Sequence, residues 1–234
     1  MSLLALCVSG QGVPATAWAG EEAVSQMHLS HSEAVAHVAP PEPDEDKRYS
    51  IFMHDAAGVF LVTIGLLAFL GGFEHRGLAW VGYAWPFLWI TLGLFLFVRS
   101  DPEAWPIGPA GFWDSFTIPT AHEVIQHKIL SLVTVMVGVF ELLMRRRTLS
   151  HSAWVYVMPT LWMGAALALM LHRHLDHPQM DLANMQHVSW GIQSLLLATI
   201  RLLEDTKVLR WDHSSGLWTL VLAVLGLQIA IYTE

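Results

Sequence analysis

Thirteen histidines in a chain of 234 residues are the side chains with the most chemistry to offer. Neutral imidazole is the commonest metal ligand in proteins, and it also serves as an axial ligand to haem iron. His54, His127, His172, His174 and His187 stand at the edges of apolar runs. The segment His172-Arg173-His174-Leu175-Asp176-His177-Pro178 adds His177, which shares a helical face with His174. Met180, Asp181 and Met185 follow closely. Imidazole with thioether suits Cu(I), and imidazole with carboxylate suits Zn(II) or Cu(II), so this mixture leaves the metal open. Glu123 lies four residues before His127, on the same helical face, where a carboxylate can fix the tautomer of an imidazole. It can equally be a helix-start acid stabilised by the macrodipole. Met27-His28-Leu29-Ser30-His31 reads as a flexible metal-collecting segment, which makes His28 and His31 secondary candidates.

Six apolar stretches must position these groups: 54–72, 82–98, 127–144, 154–172, 187–203 and 216–232. Each is close to the ~20 residues that cross a bilayer as a helix. The expected fold is therefore an all-α polytopic membrane protein with six transmembrane helices. Arg76, the run Arg145-Arg146-Arg147, and Lys207 with Arg210 fall in the loops after the first, third and fifth stretches, with Arg201 in the last turn of the fifth. Short loops rich in Lys and Arg stay cytoplasmic, which sends the N-terminus outward. Ten histidines then share the outer side: His28, His31, His37, His54, His122, His127, His172, His174, His177 and His187. The expected location is a bacterial inner membrane with the histidine cluster on the periplasmic side.

The chain is 54% apolar and 14% charged, with eleven Trp and a net charge of −8. That balance, without a basic stripe, argues against nucleic acid as a partner. Leu3 to Val8 followed by Ala17-Trp18-Ala19 reads as a signal peptide over 1–19. Cleavage there removes Cys7, the only cysteine, and with it disulfides, thiolate sites and covalent haem. Residues 20–48 read as a flexible acidic periplasmic tail and 49–234 as the membrane domain. Trp80, Trp85, Trp105, Trp113, Trp154, Trp211 and Trp218 are expected in interfacial belts. Glu141, inside an apolar run, is expected to pair with Arg145 one turn on.

The chain also repeats at a spacing of 73 residues. His54 aligns with His127, Gly65 with Gly138, Pro86 with Pro159, Trp89 with Trp162, Arg99 with His172 and Asp101 with His174. A shorter third unit opens on His187, has Ala198 in place of the glycine, and puts Trp218 in the position of Trp89 and Trp162. The expected architecture is three helical hairpins, over about 49–106, 122–178 and 182–234. Sites in such proteins tend to lie at repeat interfaces. If the hairpins share an axis, His54, His127 and His187 approach one another at one depth, as Cu or Zn would require.

The helical region resembles the bacterial copper-resistance membrane proteins of the CopD/PcoD-like group. The resemblance is carried by His54, His127, His172, His174 and His187 at outer helix ends and by the Met-His tail. It implies copper handling at the periplasmic face. Copper is thus the first expectation, with zinc below it. The expected metal ligands are drawn from His54, His127, His187, His172, His174, His177, Glu123 and Met185. An alternative is haem b in a redox-complex subunit, held by two of His54, His127, His172 and His187, with Gly58, Gly65, Gly138, Gly164 and Gly191 making room. A third reading is a structural subunit whose Trp- and Pro-rich loop, from Asp101 to Pro119, docks a partner. The expected partners are the lipid bilayer, a periplasmic metal or electron carrier, and the other subunits of a larger membrane complex. Phosphate-loop, dinucleotide, nucleophile-elbow and HExxH motifs are absent, so the isolated chain leans away from catalysis.

Overall fold

Apolar runs of this length must satisfy their backbone groups within each run, and they do so as helices. The computed structural model describes residues 43–72, 80–148, 152–172, 181–209 and 216–233. It contains α1 (Pro43–Gly71), α2 (Val81–Arg99), α3 (Ala121–Arg145), α4 (Val157–Leu171), α5 (Asp181–Asp205) and α6 (Leu217–Ile229). Two 3-10 turns, Asp114–Phe116 and Ser152–Tyr156, lie ahead of α3 and α4. The described residues contain no strand. Residues 44–234 form one compact unit.

Four segments are long and apolar enough to cross a membrane: Glu45–Gly71, Val81–Arg99, Ala121–Arg145 and Ala153–Leu171. Of the other two expected spans, 187–203 lies inside the 25-residue α5, and 216–232 yields only the 13-residue α6. At 1.5 Å per residue α6 covers roughly 20 Å, short of a ~30 Å hydrocarbon layer.

Three helices begin earlier than hydropathy alone indicates. α1 starts at Pro43, inside the expected tail, with Asp44, Glu45 and Asp46 following. A proline at the first helical position and acids in the first turn are helix-start signals that an apolarity scan passes over. α3 and α5 likewise start six residues before His127 and His187. The three histidines therefore sit one and a half turns or more inside their helices rather than at the first residue.

Small residues bring the helices together. A Cβ on Gly65 would lie 2.8 Å from the Thr219 carbonyl oxygen and 3.0 Å from the Ala223 nitrogen, so α1 meets α6 almost backbone to backbone. Gly138, 73 residues on, repeats that contact with the Pro86 carbonyl oxygen at 2.5 Å and the Ile90 nitrogen at 2.8 Å, joining α3 to α2. Gly226 against Val62 and Gly93 against Val135 are a second matched pair at the same two interfaces. Gly191 joins α5 to α4, against the Ala166 carbonyl oxygen at 2.9 Å. Lipid supplies no hydrophobic drive between helices, so such close approach does the packing.

The register of these contacts corrects one alignment. Pro86 and Thr219 occupy equivalent positions, which places Trp218 opposite Trp85 rather than opposite Trp89 and Trp162. Trp85, Trp89, Trp162 and Trp218 are all buried, with ring centres 5.5 Å apart for Trp85–Trp218 and Trp162–Trp218 and 6.3 Å for Trp89–Trp162. Trp85 and Trp218 are thus core residues and not belt anchors, whereas Trp80 and Trp113 are exposed.

One end of the bundle is tied by charge. Arg201 of α5 is ion-paired with Glu141 of α3 at 2.9 Å and donates to Asp205 at 2.7 Å. The direct ion-pair partner of Glu141 is therefore on another helix, while Arg145, near enough to act on Glu141 by charge, lies over the Trp85 ring at 4.7 Å. Arg201 lies over Trp218 at the same distance. Glu204 then caps α6 from α5, accepting from the Leu217 N–H at 2.7 Å.

Candidate functional site

Four imidazoles stand in a row toward the opposite end. The ring centres are 5.6 Å apart for His54–His187, 4.9 Å for His187–His172 and 5.1 Å for His172–His127. α1 supplies His54, α5 His187 and α3 His127, while His172 follows the last turn of α4. His172 and His187 are buried and the other two half-buried.

Each ring is held at Nδ1 by an oxygen that can only accept. His54 donates to the Ser50 carbonyl and His187 to the Ala183 carbonyl, both at 2.8 Å and both one turn back in their own helix. His127 donates to Asp101 Oδ1 at 2.8 Å and His172 to Gln126 Oε1 at 2.5 Å. Protonation at Nδ1 makes Nε2 the lone-pair nitrogen on all four. That tautomer, fixed by an oxygen behind the ring, is the one metal-ligating histidines use.

The two ends of the row differ. At the His127 end Asp101 is buried and accepts from the Ser100 hydroxyl at 2.7 Å, with Lys128 Nζ at 3.4 Å. Burial works to raise the Asp101 carboxyl, but the hydrogen bonds from His127 and Ser100 and the nearby Lys128 outweigh it and leave it below its ordinary value. Lys128 also donates to the Phe97 carbonyl at 2.6 Å, and Ser131 to the His127 carbonyl at 2.6 Å. At the His54 end the walls are aromatic. Tyr232 stacks on His54 at 4.0 Å, and Trp190 lies 5.6 Å from His54 and 5.0 Å from His187.

The expected set is thus brought together in part. His54, His127, His172 and His187 converge. Glu123 does not hold His127, a role taken by Asp101; its carboxylate lies 3.7 Å from His122 instead. Met185 points outward, 69% exposed. His28, His31, His174 and His177 lie outside the described residues. Asp101, Gln126, Trp190 and Tyr232 were not among the expected site residues. The repeat carried a signal for two of them. Asp101 aligns with His174, and in the register set by the glycine contacts Tyr232 is the equivalent of Arg99 and His172.

Among the described residues, no three His, Asp, Glu or Cys side chains already converge on a metal-sized point. Neighbouring pairs are nonetheless at the right separation. Two imidazoles bound through Nε2 at about 2.0 Å from one ion have ring centres roughly 5 Å apart. A haem fits less well. Axial imidazoles on opposite faces of an iron need roughly 6 Å between ring centres, with a macrocycle between them. Gly58, Gly65, Gly138 and Gly191, which would have to make room for it, are taken up by the backbone of neighbouring helices, and Gly164 faces outward.

Comparison with protein families, with characterised proteins and with solved structures finds no match to this chain.

Proposed function

We propose that this chain is an integral membrane metal-binding protein that handles copper through His54, His127, His172 and His187. The carrying observation is the row of four imidazoles, each held by an acceptor oxygen at Nδ1 and each within 4.9–5.6 Å of the next. Imidazole ligation suits copper and, second, zinc. The proposed role is binding or delivery at one face. Among the described residues, the far end of the bundle offers the Glu141–Arg201–Asp205 ion network rather than a second set of imidazoles.

In this reading the four long apolar helices are joined by α5 and α6 as six spans in three hairpins. The matched glycine contacts at α6–α1 and α2–α3 support that arrangement. The basic loop after α3 belongs in the cytoplasm, which puts the histidine row at the periplasmic face of a bacterial inner membrane. The haem reading ranks below copper because the interhelical space is already filled.

A second reading, as a docking subunit, draws on the loop after α2. Trp105, Phe112, Trp113 and Phe116 form an edge-to-face series there with 5.0–5.4 Å between neighbours, and all four are exposed. Such a platform fits a periplasmic carrier or the lipid headgroup layer.

The test is elemental analysis of the detergent-purified protein after exposure to copper and to zinc. Near-stoichiometric copper, lost in a variant with all four histidines changed to Ala, is the expected result. A folded protein that takes up neither metal overturns the proposal.

A further inference from the structure

The two ends of the histidine row are built from different materials, and the difference bears on the charge of the ion each end accepts. His54 and His187 present Nε2 lone pairs with ring centres 5.6 Å apart. Trp190 and Tyr232 pack against them, Tyr232 stacked on the His54 ring and Trp190 against both imidazoles, with Tyr232 only 3% and Trp190 only 4% exposed. The cost of taking an ion out of water grows as the square of its charge, so a dry box favours a monovalent over a divalent ion. Aromatic faces repay part of that cost by attracting a cation within about 6 Å. His127 at the other end is backed by a buried carboxylate, Asp101, with Lys128 and Ser100 around it. Such a shell of charged and hydrogen-bonding groups, with the carboxylate fixing the ligand's tautomer, replaces the hydration a divalent ion loses better than aromatic rings do.

We propose that the His54–His187 end, walled by Trp190 and Tyr232, binds the cuprous ion in preference to divalent ions. The selectivity comes from the aromatic walls rather than from the imidazoles, which are common to both ends. This inference rests on the metal-binding reading above. It adds which oxidation state is held, where, and by which two further side chains. Cu(I) keeps its low coordination number there, with His54 and His187 as ligands, His172 as the further imidazole next to His187, and the Trp190 ring as second neighbour.

The test uses the full chain in detergent, titrated in separate experiments with cuprous ion against bicinchoninate under reducing anaerobic conditions and with Zn(II) against a zinc chelator. Wild type is compared with Trp190→Phe, Trp190→Leu and Asp101→Asn. Cuprous affinity should fall about tenfold in Trp190→Leu and less in Trp190→Phe, with Zn(II) affinity unchanged in both. Asp101→Asn should do the reverse, lowering Zn(II) affinity more than Cu(I) affinity. Equal losses for both ions in the Trp190 variants, or no loss, overturn the inference while leaving metal binding standing. Binding of neither ion by wild type overturns the metal-binding reading itself. Should Trp190→Leu fail to fold, Trp190→Phe together with the count of nitrogen neighbours from X-ray absorption of the cuprous wild type decides. Two to three are expected, and four overturn the inference.

Discussion

Glu141 on α3 and Arg201 on α5 meet at 2.9 Å, and the register of the glycine contacts makes their positions equivalent in successive units of the chain. The first unit has Ala68 at that position, buried and uncharged. One helix contributes the acid, one the base and one neither, so the charges close on themselves.

Removing one member of this pair strands the other. Glu141 is 3% exposed, so an Arg201→Ala variant leaves a buried carboxylate without its direct ion-pair partner, with Arg145 acting on it from further off. The expected loss of stability is about 3–5 kcal/mol, read as earlier thermal unfolding in detergent. The double variant Glu141→Leu with Arg201→Leu should recover most of that loss. A single variant as stable as wild type would show that the pair ties nothing.

Glycine at the helix contacts is a packing requirement. A methyl at Gly138 would stand 2.5 Å from the Pro86 carbonyl oxygen, a backbone atom that cannot swing aside, whereas Gly164 has nothing within 4 Å. Gly138→Ala should therefore destabilise by roughly 1–3 kcal/mol. Gly164→Ala should be neutral or stabilise by up to about 1 kcal/mol through helix propensity. Unfolding midpoints of the two variants in one detergent compare them directly.

Asp101 acts through His127. Asp101→Asn keeps a hydrogen-bond acceptor but loses the charge, and Zn(II) affinity should fall about 10–100-fold with the fold retained. The pH behaviour has a definite sign. The Asp101 carboxyl is lowered in the folded chain, so its contribution to stability is present above the ordinary carboxyl value of 3.8 and is lost as pH falls through the lower folded value. The stability gap between wild type and Asp101→Asn should stay constant from about pH 5 to 8 and close below about pH 4. A gap that closes near neutral pH would assign the effect to another group.

His187 has two histidine neighbours where His54 and His127 have one each in the row. His187→Ala should therefore lower bound copper more than His127→Ala does. Equal losses, measured by elemental analysis at one protein concentration, would mean the row does not act as a unit.

Much of this was legible beforehand, and what was missed has physical causes. Three of the four histidines share one level because a helix-start register repeats at 73 residues and then again at 60, visible in His54, His127 and His187, while His172 reaches the same level from the end of α4. Hydropathy marks apolar segments, so it placed those histidines at helix ends; the polar first turns of α1, α3 and α5 carry the helix further out. Local spacing proposed Glu123 for His127 and Arg145 for Glu141. Both guesses took the nearest charge along the chain, and both groups turned out to be held across helices, by Asp101 and Arg201. Trp85 and Trp218 read as anchors because they stand near helix starts, but the close approach of small residues draws those starts into the core.

The contact of α1 with α6 sets the order in which the bundle can be completed. Among the described helices α1 leaves the ribosome first, with Gly58 and Gly65 shaped for α6, the one made latest. His54 waits for the same event, since the ring stacked on it, Tyr232, lies beyond α6. A growing chain can therefore bring His127 and His172 together before it can finish the aromatic wall around His54. The row of imidazoles is assembled from its polar end toward its aromatic one.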